Sequence, residues 1–287
     1  MSSGNLSLYG KPNQLIFRYL ILVDFSRFFS YIDLMGNFEL QKYFKRINFT
    51  DSTVSDFETL KKLHLLHMLN IPFENLDIHI KRKIILKPEL IFEKIVENSR
   101  GGFCYEMNGL FYQVLNSIGY KVKMISARVY DTAEPSPEFD HMALIVTLDN
   151  GDWLADVGFG DSFLEPLKLE PKTVQKQYGK SYKIEVINKV NFKVQNLDSK
   201  GRWNNMYRFS LIPRVLNDFD EMCVYNQSSP QSHFTQNRFC SLARTDGRIT
   251  LSGMKLIERK NGIRKETELE NEEEFNLKLK DLFGIVL

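Results

Sequence analysis

The chain has 287 residues, of which 43% are hydrophobic and 26% are charged. These proportions are typical of a globular protein and argue against a disordered chain or a membrane protein. Its 38 basic and 36 acidic residues give a formal net charge of +2, with no run of like charge, so the charge pattern indicates no nucleic-acid partner.

An apolar segment near the N-terminus, residues 15–29, resembles a targeting element in composition but is interrupted by Arg18, Asp24 and Arg27. Its longest uncharged piece, residues 19–23, is far shorter than the ~20 residues that span a bilayer. No small-residue cleavage site follows. We therefore expect neither a signal peptide nor a membrane span.

The first predicted helix begins soon after Met35, where apolar residues recur at helical spacing: Leu40, Tyr43, Phe44 and Ile47. Met35 therefore looks like a natural start of the folded chain. We interpret residues 1–34 as an N-terminal extension, or as the product of a start codon assigned too far upstream.

Three more helices are predicted before residue 119. The first follows the possible caps Ser52 and Thr53 and carries Val54, Phe57, Leu60 and Leu63. The next has Pro88 in its first turn and an apolar face of Leu90, Ile91, Ile95 and Val96. The last begins near Phe103 and ends at Gly119.

The period then changes to that of strands, since Val122, Met124 and Ser126 alternate with their neighbours. Further strand-like runs cover residues 141–148, 182–187, 192–194 and 206–211. The middle third is therefore predicted to be an antiparallel sheet or barrel. After Pro213 we expect an irregular or helical stretch, strands at 239–243 and 249–258, and a helix from about Asn271 with Phe275, Leu279, Leu282 and Phe283 on one face.

The three cysteines, Cys104, Cys223 and Cys240, indicate neither a disulfide framework nor a zinc site and favour a reducing, cytoplasmic compartment. Cys104 follows Gly101 and Gly102 at a predicted helix start, where the helix dipole lowers the pKa of a thiol from its usual value of roughly 8.5. The glycines permit a tight turn and close approach to a substrate. The alternative is that all three cysteines are buried core residues.

His141 begins a predicted strand, and Asp156 lies in the next apolar run, Leu154–Val157. Neighbouring antiparallel strands could place the two side chains opposite each other, so that His141 takes the proton of Cys104 and Asp156 orients the imidazole. A buried aspartate also needs such a partner. His64 and His67 lie three residues apart, but no further ligands cluster with them, so we expect no metal.

Five segments, in this order, resemble the arylamine N-acetyltransferase family. They are residues 71–76 (IPFENL), 100–104 (RGGFC) with 105–108 (YEMN), His141 before its strand, 156–160 (DVGFG) and 229–234 (SPQSHF). The resemblance extends from Met35 to the C-terminus, and residues 1–34 lie outside it.

The resemblance implies an α+β fold with a cysteine-protease-like catalytic core. A helical domain over residues 35–119 would carry the nucleophile, an antiparallel β-barrel domain over 120–214 would carry His141 and Asp156, and an α/β lid would cover 215–287. It also implies a cytoplasmic enzyme of xenobiotic metabolism. Its acetyl-CoA co-substrate would acetylate Cys104, which would then acetylate an arylamine, arylhydrazine or N-hydroxyarylamine.

By the same resemblance, Phe103 and Phe159 line an aromatic acceptor pocket, and Asn108 supports the catalytic triad one helical turn after Cys104. The CoA contacts would be Tyr225, Gln231, Ser232 and Glu138. The chain departs from the family at two of these, since Gln231 and Glu138 stand where Thr or Ser and Gly are common.

Three other interpretations use the same residues. A papain-like or transglutaminase-like thiol hydrolase would share the triad but ignore CoA thioesters. An amide synthase of the same family would use Cys104 to cyclise a polyketide thioester. A non-catalytic member would bind CoA or an aromatic ligand without turnover, although the intact triad residues argue against it.

Overall fold

The computed structural model describes residues 37–130 and 133–287. The interpretation of residues 1–34, including the apolar segment 15–29, lies outside these described residues. Among the described residues, no helix has both the length and the apolar character that crossing a bilayer requires.

Helices make up most of the first part of the described chain. They are α1 (Asn37–Ile47), α2 (Phe57–Asn70), α3 (Leu76–His79), α4 (Pro88–Phe92), which continues into a π-helical turn (Glu93–Glu97), and α5 (Cys104–Ile118). A short strand, β1 (Phe73–Glu74), lies between α2 and α3. The predicted end of α5 is confirmed, because Gly119 adopts the left-handed conformation (φ 101°) that commonly terminates a helix.

Two local predictions in this part are wrong. The cap of α2 is Asp56, whose carboxylate accepts the N–H of Thr59 at 2.8 Å, and neither Ser52 nor Thr53. Val54 therefore precedes the helix and is exposed. Leu90 was assigned to the apolar face of α4 but is also exposed, whereas its neighbour Ile91 is buried.

The predicted barrel is an eight-stranded antiparallel sheet with strand order β5-β4-β3-β2-β9-β8-β7-β6. Its strands are β2 (Lys121–Val129), β3 (His141–Leu148), β4 (Gly151–Ala155), β5 (Leu167–Lys168), β6 (Gln175–Gln177), β7 (Lys180–Val186), β8 (Asn191–Leu197) and β9 (Trp203–Arg214). The barrel is nearly closed, because the side-chain amide of Gln175 bonds both the N–H and the carbonyl of Lys168 across the gap between the two edge strands.

Strand β3 is apolar along most of its length because both of its faces are buried. Ala143 and Ile145 point into the barrel core. Met142, Leu144 and Val146 pack against the helices, in the same core as Cys104 on α5. This contact fixes the start of α5 beside the start of β3.

The C-terminal part begins with a 3₁₀ turn (Leu216–Phe219), α6 (Asp220–Ser228) and α7 (His233–Gln236). A five-stranded antiparallel sheet of order β1-β10-β11-β12-β13 follows, built from β10 (Phe239–Arg244), β11 (Gly247–Ser252), β12 (Lys255–Lys260) and β13 (Ile263–Glu268), and packed by α8 (Glu272–Phe283).

The predicted strand at 249–258 is wrong as a single element, because a turn with Gly253 at φ 55° divides it into β11 and β12. Strand β13 was not predicted, since all of its residues are exposed and no apolar alternation marks it. The sheet takes its first strand, β1, from the helical part of the chain. The domain boundaries themselves stay a prediction.

Candidate active site

Cys104 is the first residue of α5, and its side chain is almost completely buried. The preceding residue, Phe103, is the N-cap, and its backbone N–H donates to the carboxylate of Glu106 at 3.1 Å. This bond holds the start of the helix, where the first N–H groups have no partner within the helix. The thiol therefore faces an end of α5 that carries partial positive charge.

The two glycines before Cys104 are explained by the protein's own packing. A Cβ on Gly101 would lie 1.9 Å from the carbonyl oxygen of Pro72, and a Cβ on Gly102 would lie 2.8 Å from the side chain of Glu106. The expected close approach to a substrate is thus an approach to residues 72 and 106 of the same chain. The turn can pass this closely only because both residues lack side chains.

His141 and Asp156 form a buried pair in which imidazole Nε2 lies 2.8 Å from carboxylate Oδ2. Their positions follow from the sheet, since His141 begins β3 and Asp156 comes directly after the paired strand β4. The His141 ring packs against Phe159 and Tyr207, with ring centroids at 5.3 and 5.2 Å, and these two rings also contact each other. With Nε2 engaged, Nδ1 is the nitrogen that can exchange a proton with a thiol.

The second oxygen of Asp156 is held by Asn108 and by its own chain. Oδ1 accepts the amide N–H of Asn108 at 2.9 Å and the backbone N–H of Gly158 at 3.0 Å. Burial raises the pKa of Asp156, but the charge of His141 and the hydrogen bonds from His141, Asn108 and Gly158 outweigh it and leave the pKa below its usual value. The carboxylate is therefore ionised at neutral pH.

His64 is a site residue that the sequence analysis missed. Its Nε2 accepts the backbone N–H of Asp156 at 3.1 Å, and its Nδ1 lies 2.8 Å from the carbonyl oxygen of Leu164, to which it donates. Burial lowers the pKa of His64 to about 4, so the ring is neutral and its tautomer is fixed by these two bonds.

The signal for His64 in the sequence is weak, because this residue stands in an apolar helix beside the buried Leu60 and Leu63. Its hydrogen-bond partners, Asp156 and Leu164, lie far from it along the chain. His67 bonds the hydroxyl of Tyr43 at 2.8 Å instead. Among the described residues, no group of three or more His, Cys, Asp or Glu side chains could hold a metal ion.

The thiol of Cys104 experiences opposing influences. Burial raises its pKa well above the usual value, and the charges of Asp140 and Asp156 add to this, whereas a hydrogen bond from the backbone of Met142 lowers it. The sequence analysis predicted a pKa below the usual value from the helix start, and this prediction is wrong as a net effect because burial outweighs it. The sequence could not show the burial, which makes a proton acceptor next to the thiol necessary for thiolate formation.

A cavity of about 400 Å³ brings Cys104 and His141 together with an aromatic wall of Phe73, Phe159, Phe234 and Phe239. Phe159 lines this cavity, and its contact with an aromatic acceptor stays a prediction. Phe103 does not line it, because it is fully buried and packs edge-on against Tyr105 and Phe234. Phe103 supports the pocket from behind, and Phe73, Phe234 and Phe239 are wall residues that the sequence analysis did not name.

The four predicted CoA contacts lie outside the cavity wall. Tyr225 and Gln231 are exposed, and Glu138 is exposed and pairs with Arg214 at 3.4 Å. Ser232 is buried as the cap of α7, where its hydroxyl accepts the N–H of Phe234 and donates to Asn226. Their contact with CoA stays a prediction.

Comparison with known proteins gives one consistent relationship. A family model described as N-acetyltransferase matches residues 56–287. Arylamine N-acetyltransferase 1 of Bos taurus is 34% identical, over 87% of this chain and 94% of its own length. The solved arylamine N-acetyltransferase from Salmonella typhimurium is 30% identical with a TM-score of 0.81, over 88% of this chain and 92% of that chain.

A third relative was solved in complex with CoA. This arylamine N-acetyltransferase from Mycobacterium marinum is 31% identical with a TM-score of 0.78, and the match covers 86% of this chain and 92% of that chain. These structural neighbours also confirm the predicted α+β fold with its antiparallel barrel and cysteine-protease-like core.

Proposed function

The chain belongs to the arylamine N-acetyltransferase family, and on that premise we propose that Cys104 carries an acetyl group from acetyl-CoA to an arylamine, arylhydrazine or N-hydroxyarylamine. The observation that supports this most directly is the cavity in which the Cys104 thiol and the His141 ring, braced by Asp156, face the same space. The CoA complex of the Mycobacterium marinum relative supports acetyl-CoA as the donor.

In the first half-reaction, the thiol of Cys104 gives its proton to His141 and the resulting thiolate attacks the carbonyl carbon of acetyl-CoA. The bond from that carbon to the sulfur of CoA breaks, and the CoA thiolate takes the proton from His141. One thioester replaces another of similar energy. Asp156 stabilises the imidazolium that exists between these two proton transfers.

In the second half-reaction, the amine nitrogen attacks the thioester carbon on Cys104, and a proton of that nitrogen passes to His141. The carbon–sulfur bond breaks and the thiol is regenerated. Each half forms an oxyanion, and the backbone N–H of Cys104 at the start of α5 is suited to stabilise it because it has no partner within the helix.

The aromatic wall supports a flat acceptor. Phe159 and Phe234 offer ring faces and edges to an arylamine, and their apolar surfaces exclude water from the thioester. Exclusion of water distinguishes a transferase from a thiol hydrolase that uses the same triad. The acetyl group is therefore expected to remain on Cys104 until an amine reacts with it.

Steady-state kinetics with acetyl-CoA and an arylamine test this function. A ping-pong enzyme gives parallel lines in double-reciprocal plots, and release of CoA without amine should be at least about tenfold slower than with it. Intersecting lines would contradict the acetyl-Cys104 intermediate. CoA release at the same rate without amine would indicate a hydrolase.

A further inference from the structure

One wall of the cavity beside Cys104 is polar and comes from the C-terminal sheet. Ser241 of β10, Arg248 and Thr250 of β11, and Arg259 of β12 all line it. They share one face of the sheet, because Ser241 pairs with Thr250 and Arg248 pairs with Arg259 in register. The cavity therefore has an aromatic side and a cationic, hydroxyl-bearing side.

The cations at or behind this wall exceed the negative charge that is paired with them. Among the ion pairs of the described residues, Asp161 is the carboxylate shared by Lys180 at 2.8 Å, Arg259 at 3.3 Å and Arg248 at 3.7 Å. Asp140, the other acidic residue in the cavity wall, pairs with none of them within 4 Å. Three cations around one carboxylate leave two positive charges uncompensated.

Arg248 also keeps an unused hydrogen-bond donor. The residue is only 8% exposed, and its Nη1 donates to the hydroxyl of Ser241 at 3.0 Å. Its Nε is buried without a hydrogen-bond partner, since Asp161 Oδ1 lies 3.7 Å from it, which is too far for a hydrogen bond. Buried polar groups are normally satisfied, so this guanidinium N–H keeps the capacity to donate to an anion bound beside Asp161.

The pairing register of the C-terminal strands supports an anion at this wall. Arg248 lies directly opposite Arg259, and Arg259 lies directly opposite Arg264 on β13. Like charges in directly opposed positions destabilise a sheet. Arg264 is already paired with Glu266, so the opposed charges left at the cavity wall are Arg248 and Arg259, which are stabilised when an anion lies against them.

We propose that Arg248 and Arg259, with the hydroxyls of Ser241 and Thr250, form an oxyanion subsite that holds the charged end of a small molecule whose other end reaches Cys104. The planar fork of arginine suits both a carboxylate and a phosphate. The anion is a carboxylate carried on the aromatic acceptor or a phosphate of CoA. This inference rests on the proposed function for its choice of ligands.

Binding measurements on matched ligands test the subsite without any turnover. Calorimetric titration would compare 4-aminobenzoate with the uncharged 4-aminobenzamide, and CoA with pantetheine, which lacks the phosphates. The variants are Arg248→Met and the half-exposed Arg259→Met, which preserves the test where Arg248→Met fails to fold. The matched control is Arg244→Met, an exposed arginine of β10 outside the cavity wall.

Each cavity variant should bind the charged ligand of one pair about 10- to 100-fold more weakly than wild type does, as expected for the loss of a charged hydrogen bond. The affinity for the uncharged ligand should stay the same, and Arg244→Met should bind all four ligands as wild type does. Weaker binding confined to 4-aminobenzoate assigns the subsite to the acceptor, and weaker binding confined to CoA assigns it to the donor. Asp161→Asn should increase the affinity for the same charged ligand.

Affinities for 4-aminobenzoate and CoA that stay at the wild-type value in both cavity variants would overturn the subsite. This outcome is distinct from failure of the proposed function. That function fails where acetyl-CoA leaves no acetyl group on Cys104 of the wild-type protein, and the binding comparison keeps its meaning in that case.

Discussion

At the scale of single residues, the site depends on the absence of one side chain. Gly158 follows Asp156 closely, and a Cβ there would lie 2.6 Å from the amide nitrogen of Asn108 and 2.8 Å from Cα of Cys104. Both neighbours belong to the site, and one of them is backbone. Only glycine allows the loop after β4 to lie against the start of α5.

We predict that Gly158→Ala lowers kcat by about 100-fold, because displacing a reacting group by a fraction of an ångström misaligns it, and destabilises the fold by about 2 kcal/mol. The matched control is Gly160→Ala, whose Cβ would lie 3.7 Å from Phe73, an ordinary contact. Urea unfolding should show a change for Gly160→Ala of less than about 0.5 kcal/mol. Equal destabilisation by both changes would contradict the packing argument.

The residues of the site differ in how far the sequence reveals them. Cys104, His141 and Asp156 could be predicted because each stands at the boundary of a recognisable element within a family motif. His64 and Arg248 could not. His64 reaches Asp156 from a distant helix, and Arg248 acquires its role from the folding of β11 against the cavity.

At the scale of secondary-structure elements, the start of α5 is held by a buried cluster of five charged residues: Glu74, Asp77, Lys94, Arg100 and Glu106. Lys94 lies 2.8 Å from both Asp77 and Glu106. Burial lowers the pKa of Lys94, but the three carboxylates outweigh it and raise the pKa above its usual value. The cluster joins the π-helical turn and α3 to Glu106, whose carboxylate accepts the backbone N–H of the N-cap Phe103.

We predict that Lys94→Met destabilises the protein by about 3–5 kcal/mol, because it leaves three buried carboxylates with Arg100 as their main cation. Lys255→Met removes a lysine from an exposed pair with Glu268 and should cost less than about 1 kcal/mol. Denaturant unfolding of the two variants measures both values. Similar costs would show that the buried cluster contributes no more than a surface ion pair.

Elements with a buried face were predictable, and elements without one were not. The periodicity of α5 and β3 follows from contacts with the core. β13 is exposed throughout and left no pattern, and the turn at Gly253 interrupts a segment that was predicted as one strand. The cap Asp56 was missed because Ser52 and Thr53 are equally good capping residues.

At the scale of the whole molecule, two buried histidines connect stability to pH. The pKa of His64 is lowered to about 4 by burial, and burial also lowers the pKa of His67 well below its usual value. In the unfolded chain a histidine has a pKa of about 6.5. Between these values the unfolded chain binds more protons, so the free energy of unfolding falls as the pH falls from about 6.5 toward 4.

We predict that His64 alone removes about 2 kcal/mol of stability between pH 7.5 and pH 5. His64→Gln should therefore show a smaller loss over this interval than wild type, even if it is less stable at pH 7.5. His233→Gln replaces an exposed imidazole and is the control. An unchanged pH dependence in His64→Gln would mean that this histidine is not held neutral in the fold.

The overall architecture was predictable as a helical part, a sheet or barrel, and a C-terminal part with strands and a helix. The sequence could not show how these three parts contact one another. β1 leaves the helical part to join the C-terminal sheet, and Gln175 closes the barrel across a gap. The cavity exists only where these parts meet, so its cationic wall was invisible in the linear pattern.

The central claim is that Cys104 carries the acetyl group, and intact-protein mass spectrometry tests it most directly. After mixing with acetyl-CoA in the absence of amine, the wild-type protein should gain one acetyl group and lose it when an arylamine is added, while Cys104→Ala should gain none. An acetyl group that also appears on Cys104→Ala, or no acetyl group on wild type, would contradict the claim.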